Sequence, residues 1–340
     1  MLPKVSLSWC NGGGSAPTHG KFEAGRLDEM SVSTEKFMRL LNDANMQERV
    51  KLEDFMAVAA GARSMAALMV PPDLPDGDRI RENIDSGYSR RYYEGRRSGG
   101  LVGYFDRLRY AAMRALTSPL RYKASLLREA YEEAVWDHPN YRAHKKWADR
   151  LGLNLYEKQL RPSLDEVYLI REQSKVSELA ALMVRRDEIR REMFESLRQG
   201  RAPQMMLVPE ERSPEYLRAM GSLLDYPDCC IEAYVEDASS NVDSALRSSN
   251  QISDMDEDTP PTAFFAASFY PCEPDCKHAQ RVGETITELF RDIDDRLADR
   301  MMRAYRANMD YVAKYPEIME DRRRRMMAQY MGGGGNDRTQ

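Results

Sequence analysis

The sequence predicts an all-α, multi-helical protein with a cysteine-bearing helical C-terminal region. Three observations predict it. Apolar residues recur at three- and four-residue spacing through most of the chain, as in Phe37, Leu40 and Leu41. Proline repeatedly stands where a first helical turn would begin, at Pro119, Pro214, Pro227 and Pro274. Only one short run, QMMLV at 204–208, has the composition of a strand.

Taken in order, residues 1–33 are rich in Gly, Ser and Pro, carry no apolar period and read as a flexible arm. A helical N-terminal region follows over 34–200. Its first helix starts near Ser33, and a second is expected over about 52–69, stopped by Pro71 and Pro72. The Pro-, Gly- and Arg-rich stretch 71–100 reads as a long Arg/Tyr-rich loop. Helical spacing resumes at Tyr104, and helices are expected at about 119–136, 140–151 and 163–198, the last with a break near Ser174. A cysteine-motif helical region spans 201–330. In it, Pro214–Leu224, Pro227–Asp237 and Pro274–Tyr315 read as helices, and 238–262, with its acidic SDMDEDTPP, as an exposed loop. Residues 331–340 read as a disordered tail.

A chain of 340 residues is long enough to bury a substantial core without help from a metal. No apolar run reaches the roughly 18 residues that span a bilayer, and the first residues lack a signal-peptide core, so a cytoplasmic location is expected. Its cysteines should then be mostly reduced. The formal net charge of −5 conceals an asymmetry: from Arg79 to Lys123 eleven bases face four acids, and from Asp225 to Arg300 eighteen acids face six bases. The basic segment can pair with the acidic one or meet an anionic partner such as a nucleic acid or an acidic protein surface.

The chemistry concentrates in LLDYPDCCIEAYV, 223–235, and FYPCEPDCKHAQRVGE, 269–284. In each, a proline precedes a cysteine and a helical pattern follows. Cys229, Cys230 and Cys276 should therefore fall in first helical turns, with Cys272 just ahead of its helix. Free amide groups and the positive end of the helix dipole stabilise thiolates there. Four thiolates suit zinc or an iron-sulfur cluster. The spacing, a CC pair and then CxxxC, matches no zinc-finger pattern of paired CxxC knuckles. Adjacent ligands diverge by about 100° on a helix, which a multi-iron cluster tolerates more easily than a single ion. Cys230 shares a face with Tyr234 and also reads as a small core residue. His278 is then an alternative fourth ligand, although two positions beyond Cys276 it does not share that residue's helix face.

These fragments resemble an uncharacterised prokaryotic family, mainly archaeal, whose members share a YPxCC element and a downstream PCxxxC element. The similarity covers about residues 213–290. It implies that Tyr226, Pro227, Cys229, Cys230, Pro271, Cys272 and Cys276 form one unit, and it implies no activity.

Outside that unit, GYSRRYYEGRRSGGLVGYFDRLRY, 87–110, interleaves arginines with aromatic residues, a composition that binds phosphates and stacks bases. Arg90, Arg91, Arg96 and Arg97 are its candidate anion or nucleic-acid contacts. An Arg-rich solvated surface accounts for the same composition. His138 and His144 are six residues apart, too far for a helical ligand pair. The leading functional expectation is a metal-binding protein whose cysteine site is structural or electron-transferring. Alternatives are a nucleic-acid-binding or ribosome-associated module and a thiol-based redox enzyme.

Overall fold

The computed structural model describes residues 34–93, 104–105, 108, 111–112, 119–199, 208–255, 259–267 and 269–332. The protein is mostly helical, as the periodicity predicts, with one small sheet that the sequence reading did not anticipate. The arm at 1–33, Arg96, Arg97, residues 204–207 of the candidate strand and residues 333–340 of the tail lie outside the described residues.

Helix α1, Thr34–Leu41, turns Phe37, Leu40 and Leu41 inward. The next element, α2, begins as a π-helix over Val50–Met56 and continues helically through Ala57–Ala59. All seven π-helical residues are buried, charged Lys51, Glu53 and Asp54 included. Buried charges need partners, and Lys51 donates to the Leu41 carbonyl at 2.9 Å while Glu53 accepts from Asn308 Nδ2 at 2.8 Å and the Ala267 amide at 2.9 Å.

The helix expected over 52–69 ends early. Gly61 takes a left-handed φ of 80°, which glycine adopts without steric cost, and the chain re-emerges as strand β1, Met65–Val70. A short apolar run such as MAALMV is ambiguous between helix and strand by period alone.

The expected loop at 71–100 is instead largely a helix, α3, Gly77–Tyr93. Ile80 and Ile84, one turn apart, supply its buried stripe, and Arg90 and Arg91 occupy the last turn, where cations complement the dipole. It packs on α4, Pro119–Val135. Helix α5, Pro139–Leu151, is capped by the His138 side chain, which accepts from the Asn140 amide.

Strands β2, Asn154–Arg161, and β3, Leu164–Ile170, form a hairpin, so the helix expected from 163 begins only after β3. That helix, α6, is Gln173–Arg198 and starts at the expected break near Ser174. The sheet order is β1-β3-β2, antiparallel throughout. Both faces of the sheet are covered. Ala66, Leu68, Val70, Val167 and Leu169 join the main apolar core, whereas Met65, Tyr168 and Ile170 pack against α6 and the helix that follows it. Double coverage suppresses the polar alternation that marks a half-exposed strand.

Further helices are α7, Pro214–Leu223; α8, Asp228–Ser240; α9, Ser244–Ser253; α10, Lys277–Ile293; α11, Asp295–Ala313; and α12, Tyr315–Gly332. Helix α9 lies inside the expected loop 238–262. Asp243 caps it by accepting from the Ala245 and Leu246 amides, a start signal that the surrounding Ser/Asn-rich composition obscured. The single helix expected over 274–315 is divided at Asp294, which caps α11. The main core joins Phe37, Val58, Leu68, Tyr131 and Leu169 to Cys230, Phe265, Ile286 and Val312, so the cysteine-bearing segments are built into the same apolar interior as the N-terminal helices.

Candidate metal centre

Two helix starts converge on the cysteines. Pro227 stands at the N-cap of α8, placing Cys229 and Cys230 in its first turn, and Cys276 is the N-cap residue of α10. Cys272 sits in the turn ahead of α10. The fold brings all four sulfurs within 4.8 Å of one another. Cys229 Sγ lies 3.9 Å from Cys230 Sγ and 3.7 Å from Cys276 Sγ, and Cys230 Sγ lies 3.8 Å from Cys272 Sγ and 3.7 Å from Cys276 Sγ. The adjacency of Cys229 and Cys230 therefore does not keep their sulfurs apart, because side-chain rotation brings each Sγ toward the common centre. All four cysteines are free of disulfides.

Burial and electrostatics differ across the cluster. Cys230 and Cys276 are buried, and Cys229 and Cys272 half-buried. Without a metal, burial pushes the Cys230 thiol far up and Cys272 up to about 12, each reinforced by neighbouring thiols. Burial also opposes ionisation of Cys276, but hydrogen bonds from the Ala279 amide and the other thiols outweigh it and draw that thiol below its ordinary value. The Cys272 amide also donates to Cys230 Sγ, at 3.4 Å. Backbone amides at a helix start are suited to anionic sulfur.

His278 is exposed, and its Nδ1 lies 3.5 Å from Cys229 Sγ. It stands beside the cluster at hydrogen-bond distance from one sulfur, and the four-ligand group comprises the cysteines alone. Cys230 is both things the sequence suggested, a 2% exposed core residue and a member of the sulfur cluster.

The supports of this cluster were missed in sequence. Arg247 of α9 donates through Nη1 to the carbonyls of Pro271 and Cys272 at 3.1 and 2.9 Å, and its Nε donates to Asp237 of α8 at 2.8 Å. Gln251 Nε2 donates to the same Cys272 carbonyl at 3.1 Å. On the other side Asp225 accepts from the Ser64 amide at 2.5 Å and its hydroxyl at 2.7 Å, tying the start of the YPDCC segment to the residue that precedes β1. Helix α7 approaches α8 so closely at Gly221 that an added Cβ would stand 2.7 Å from Ile231 Cγ1. The Asp243 cap beside Arg247 was the one local signal in the sequence.

The candidate arginines lie elsewhere. Arg90 and Arg91 both reach Glu133 of α4, the former at 3.3 Å, and Arg91 also approaches Glu129 at 3.9 Å. Each thus has a carboxylate across the α3–α4 contact. His138 caps α5, and buried His144 bonds the Asn140 carbonyl at 2.7 Å, so the two histidines serve separate local roles.

The fold and the cluster define a mostly helical protein whose four cysteines can hold a metal. Residues 153–301, from just before the β2–β3 hairpin into α11, match the family described as a protein of unknown function (DUF483). That span contains all four cysteines, Arg247 and Gln251. Neither the curated proteins nor the solved structures give a match. Among the described residues, no helix is long and apolar enough to cross a membrane.

Proposed function

We propose that Cys229, Cys230, Cys272 and Cys276 together bind one tetrahedral metal ion, zinc, which fastens the start of α8 to the turn before α10. The sulfur spacing carries this reading. A zinc–sulfur bond of about 2.3 Å puts the corners of a regular tetrahedron about 3.8 Å apart, and four of the sulfur pairs stand at 3.7 to 3.9 Å. A four-iron cluster needs more room, because its irons and sulfides lie between the cysteine ligands. The spacing therefore favours a single ion over the cluster chemistry that the CC pair first suggested.

Four thiolates around a divalent cation leave two negative charges. The amides at the starts of α8 and α10 offset them in a half-buried position. All four ligand positions are filled by protein sulfur, the composition of a structural rather than a catalytic zinc site. Iron in the same ligand set would instead give an electron-transfer centre.

Metal analysis and cobalt substitution test the proposal. One zinc per chain, and a cobalt form with the absorption of tetrahedral thiolate coordination, are expected. Both should be lost on Cys276→Ser. Iron with equimolar sulfide would replace the zinc reading with a cluster, and metal-free protein with four titratable thiols would remove the metal reading altogether.

A further inference from the structure

A cavity of about 350 Å³ lies against the sheet beside the cysteine segments, within the size range of small-molecule sites. A second cavity, of about 440 Å³, adjoins it. Glu211, Tyr234 and Tyr270 line both and so mark their junction. The three come from separate elements: Glu211 from the 3₁₀ turn Pro209–Arg212, Tyr234 from α8, and Tyr270 from the segment ahead of Cys272. Away from the junction, Tyr226 and Phe269 line the first cavity with ring centroids 4.7 Å apart. Tyr234 is 36% exposed, and Tyr226 and Tyr270 are half-buried, so these three rings keep accessible surface.

The charges of the first cavity decide the sign of a ligand. Five of its six charged lining residues already have ion partners: Arg49 pairs with Asp73, Arg63 with Asp54, Glu166 with Arg186, and Glu210 with Arg190. Glu211 is the sixth, and among the described residues it has neither an ion pair nor a side-chain hydrogen bond. Arg212, in the second cavity, is held by the Ala238 carbonyl and Asn241 Oδ1. It and Arg161 act on Glu211 through space without pairing. Burial and then the Glu210 charge nevertheless raise the Glu211 carboxyl, and burial with the Glu211 and Asp243 charges pushes the Tyr234 phenol up to about 12. The field at the junction is therefore negative. Cys230 borders the same cavity; it offers a neutral thiol without a metal and part of an anionic site with one, so neither state reverses that sign.

Aromatic faces attract cations, and methylated ammonium ions are the ligands that aromatic cages recognise. Such an ion needs few acceptors, whereas a primary ammonium has three donors to satisfy. One unpaired carboxylate among tyrosine rings suits the former.

We propose that the first cavity binds a small methylated ammonium ion with an apolar body, its ammonium at the junction against Glu211, Tyr234 and Tyr270 and its body against Tyr226 and Phe269. The site does not depend on which metal the cysteines hold.

Calorimetric titration of the full chain with benzyltrimethylammonium tests this, with benzyl alcohol and phenylacetate as neutral and anionic controls. The ammonium ion is expected to bind saturably and both controls at least about tenfold more weakly. Glu211→Gln should weaken its binding about tenfold. Tyr234→Leu should weaken it about fivefold while Tyr234→Phe, which keeps the ring, retains it. Both positions are exposed, so the melting temperature of each variant should stay near that of the parent. Absence of benzyltrimethylammonium binding, equal binding of either control, or parent affinity in Glu211→Gln or Tyr234→Leu would overturn the proposal.

Discussion

Arg247 Nη1 donates to the carbonyl oxygen of Cys272 at 2.9 Å, so a guanidinium on α9 holds the backbone of a candidate metal ligand that lies outside any helix. The same side chain is anchored by Asp237 of α8, the helix that carries Cys229 and Cys230. One arginine thus ties both halves of the sulfur cluster to each other. Groups that orient ligands typically govern about 10- to 100-fold in metal affinity. Arg247→Met is expected to lower affinity by that order, measured by competition with a chromophoric chelator. Gln251→Leu, which removes one of the two donors to the Cys272 carbonyl, should cost less. Equal affinity in all three proteins would mean that the turn holds its shape unaided.

The close approach of α7 and α8 gives a second prediction. Gly221→Ala forces a methyl group against Ile231, and overpacking of this kind costs about 1–3 kcal/mol. Because the clash is with one side chain, Gly221→Ala combined with Ile231→Ala should be less destabilised than the sum of the two single variants. Denaturant unfolding of the four proteins measures that coupling; strict additivity would place the strain elsewhere.

The buried Asp54 makes stability depend on pH. Its carboxyl is raised from an ordinary value of 3.8 to about 7 by burial, so between those values the folded protein retains a proton that the unfolded chain has lost. The contribution is fully present below 3.8 and is lost as pH rises toward 7, by up to about 1.4 kcal/mol per pH unit. Asp54→Asn removes the titration. Urea unfolding at pH 5 and pH 7.5 should show a smaller loss of stability with rising pH in the variant than in the parent. Parallel behaviour would mean that Asp54 is ionised throughout.

Metal removal should loosen the C-terminal half specifically. Loss of a bound ligand withdraws its binding free energy from the folded state, and the ion in this account joins α8 to the turn before α10. Chelation is therefore expected to accelerate amide exchange in Asp228–Ser240 and at Cys272 more than in β1 or α5. Uniform acceleration would point to global rather than local dependence on the metal.

The legible and illegible parts of the fold divide along physical lines. Pro214, Pro227 and the apolar stripes of α1, α4 and α5 announce helices because capping and 3.6-residue spacing are local. The four cysteines and their helix-start positions were legible for the same reason. The sheet was not, because Leu68 and Leu169 face one core while Met65 and Tyr168 face another, erasing alternation. Helix α3 was hidden by its arginines, whose carboxylate partners on α4 lie some forty residues away in sequence. Arg247 was hidden because its partners Asp237, Pro271 and Cys272 lie on other elements, 10 to 25 residues away, and the pairing of Asp54 with Arg63 required knowing that Gly61 turns the chain back.

The central claim is that four protein sulfurs share a single ion, and X-ray absorption at the metal edge of the as-purified protein tests it most directly. The account predicts zinc with one shell of four sulfurs at about 2.3 Å and no metal neighbour. Nitrogen or oxygen in that shell, an iron–iron distance, or no metal at the site would contradict it.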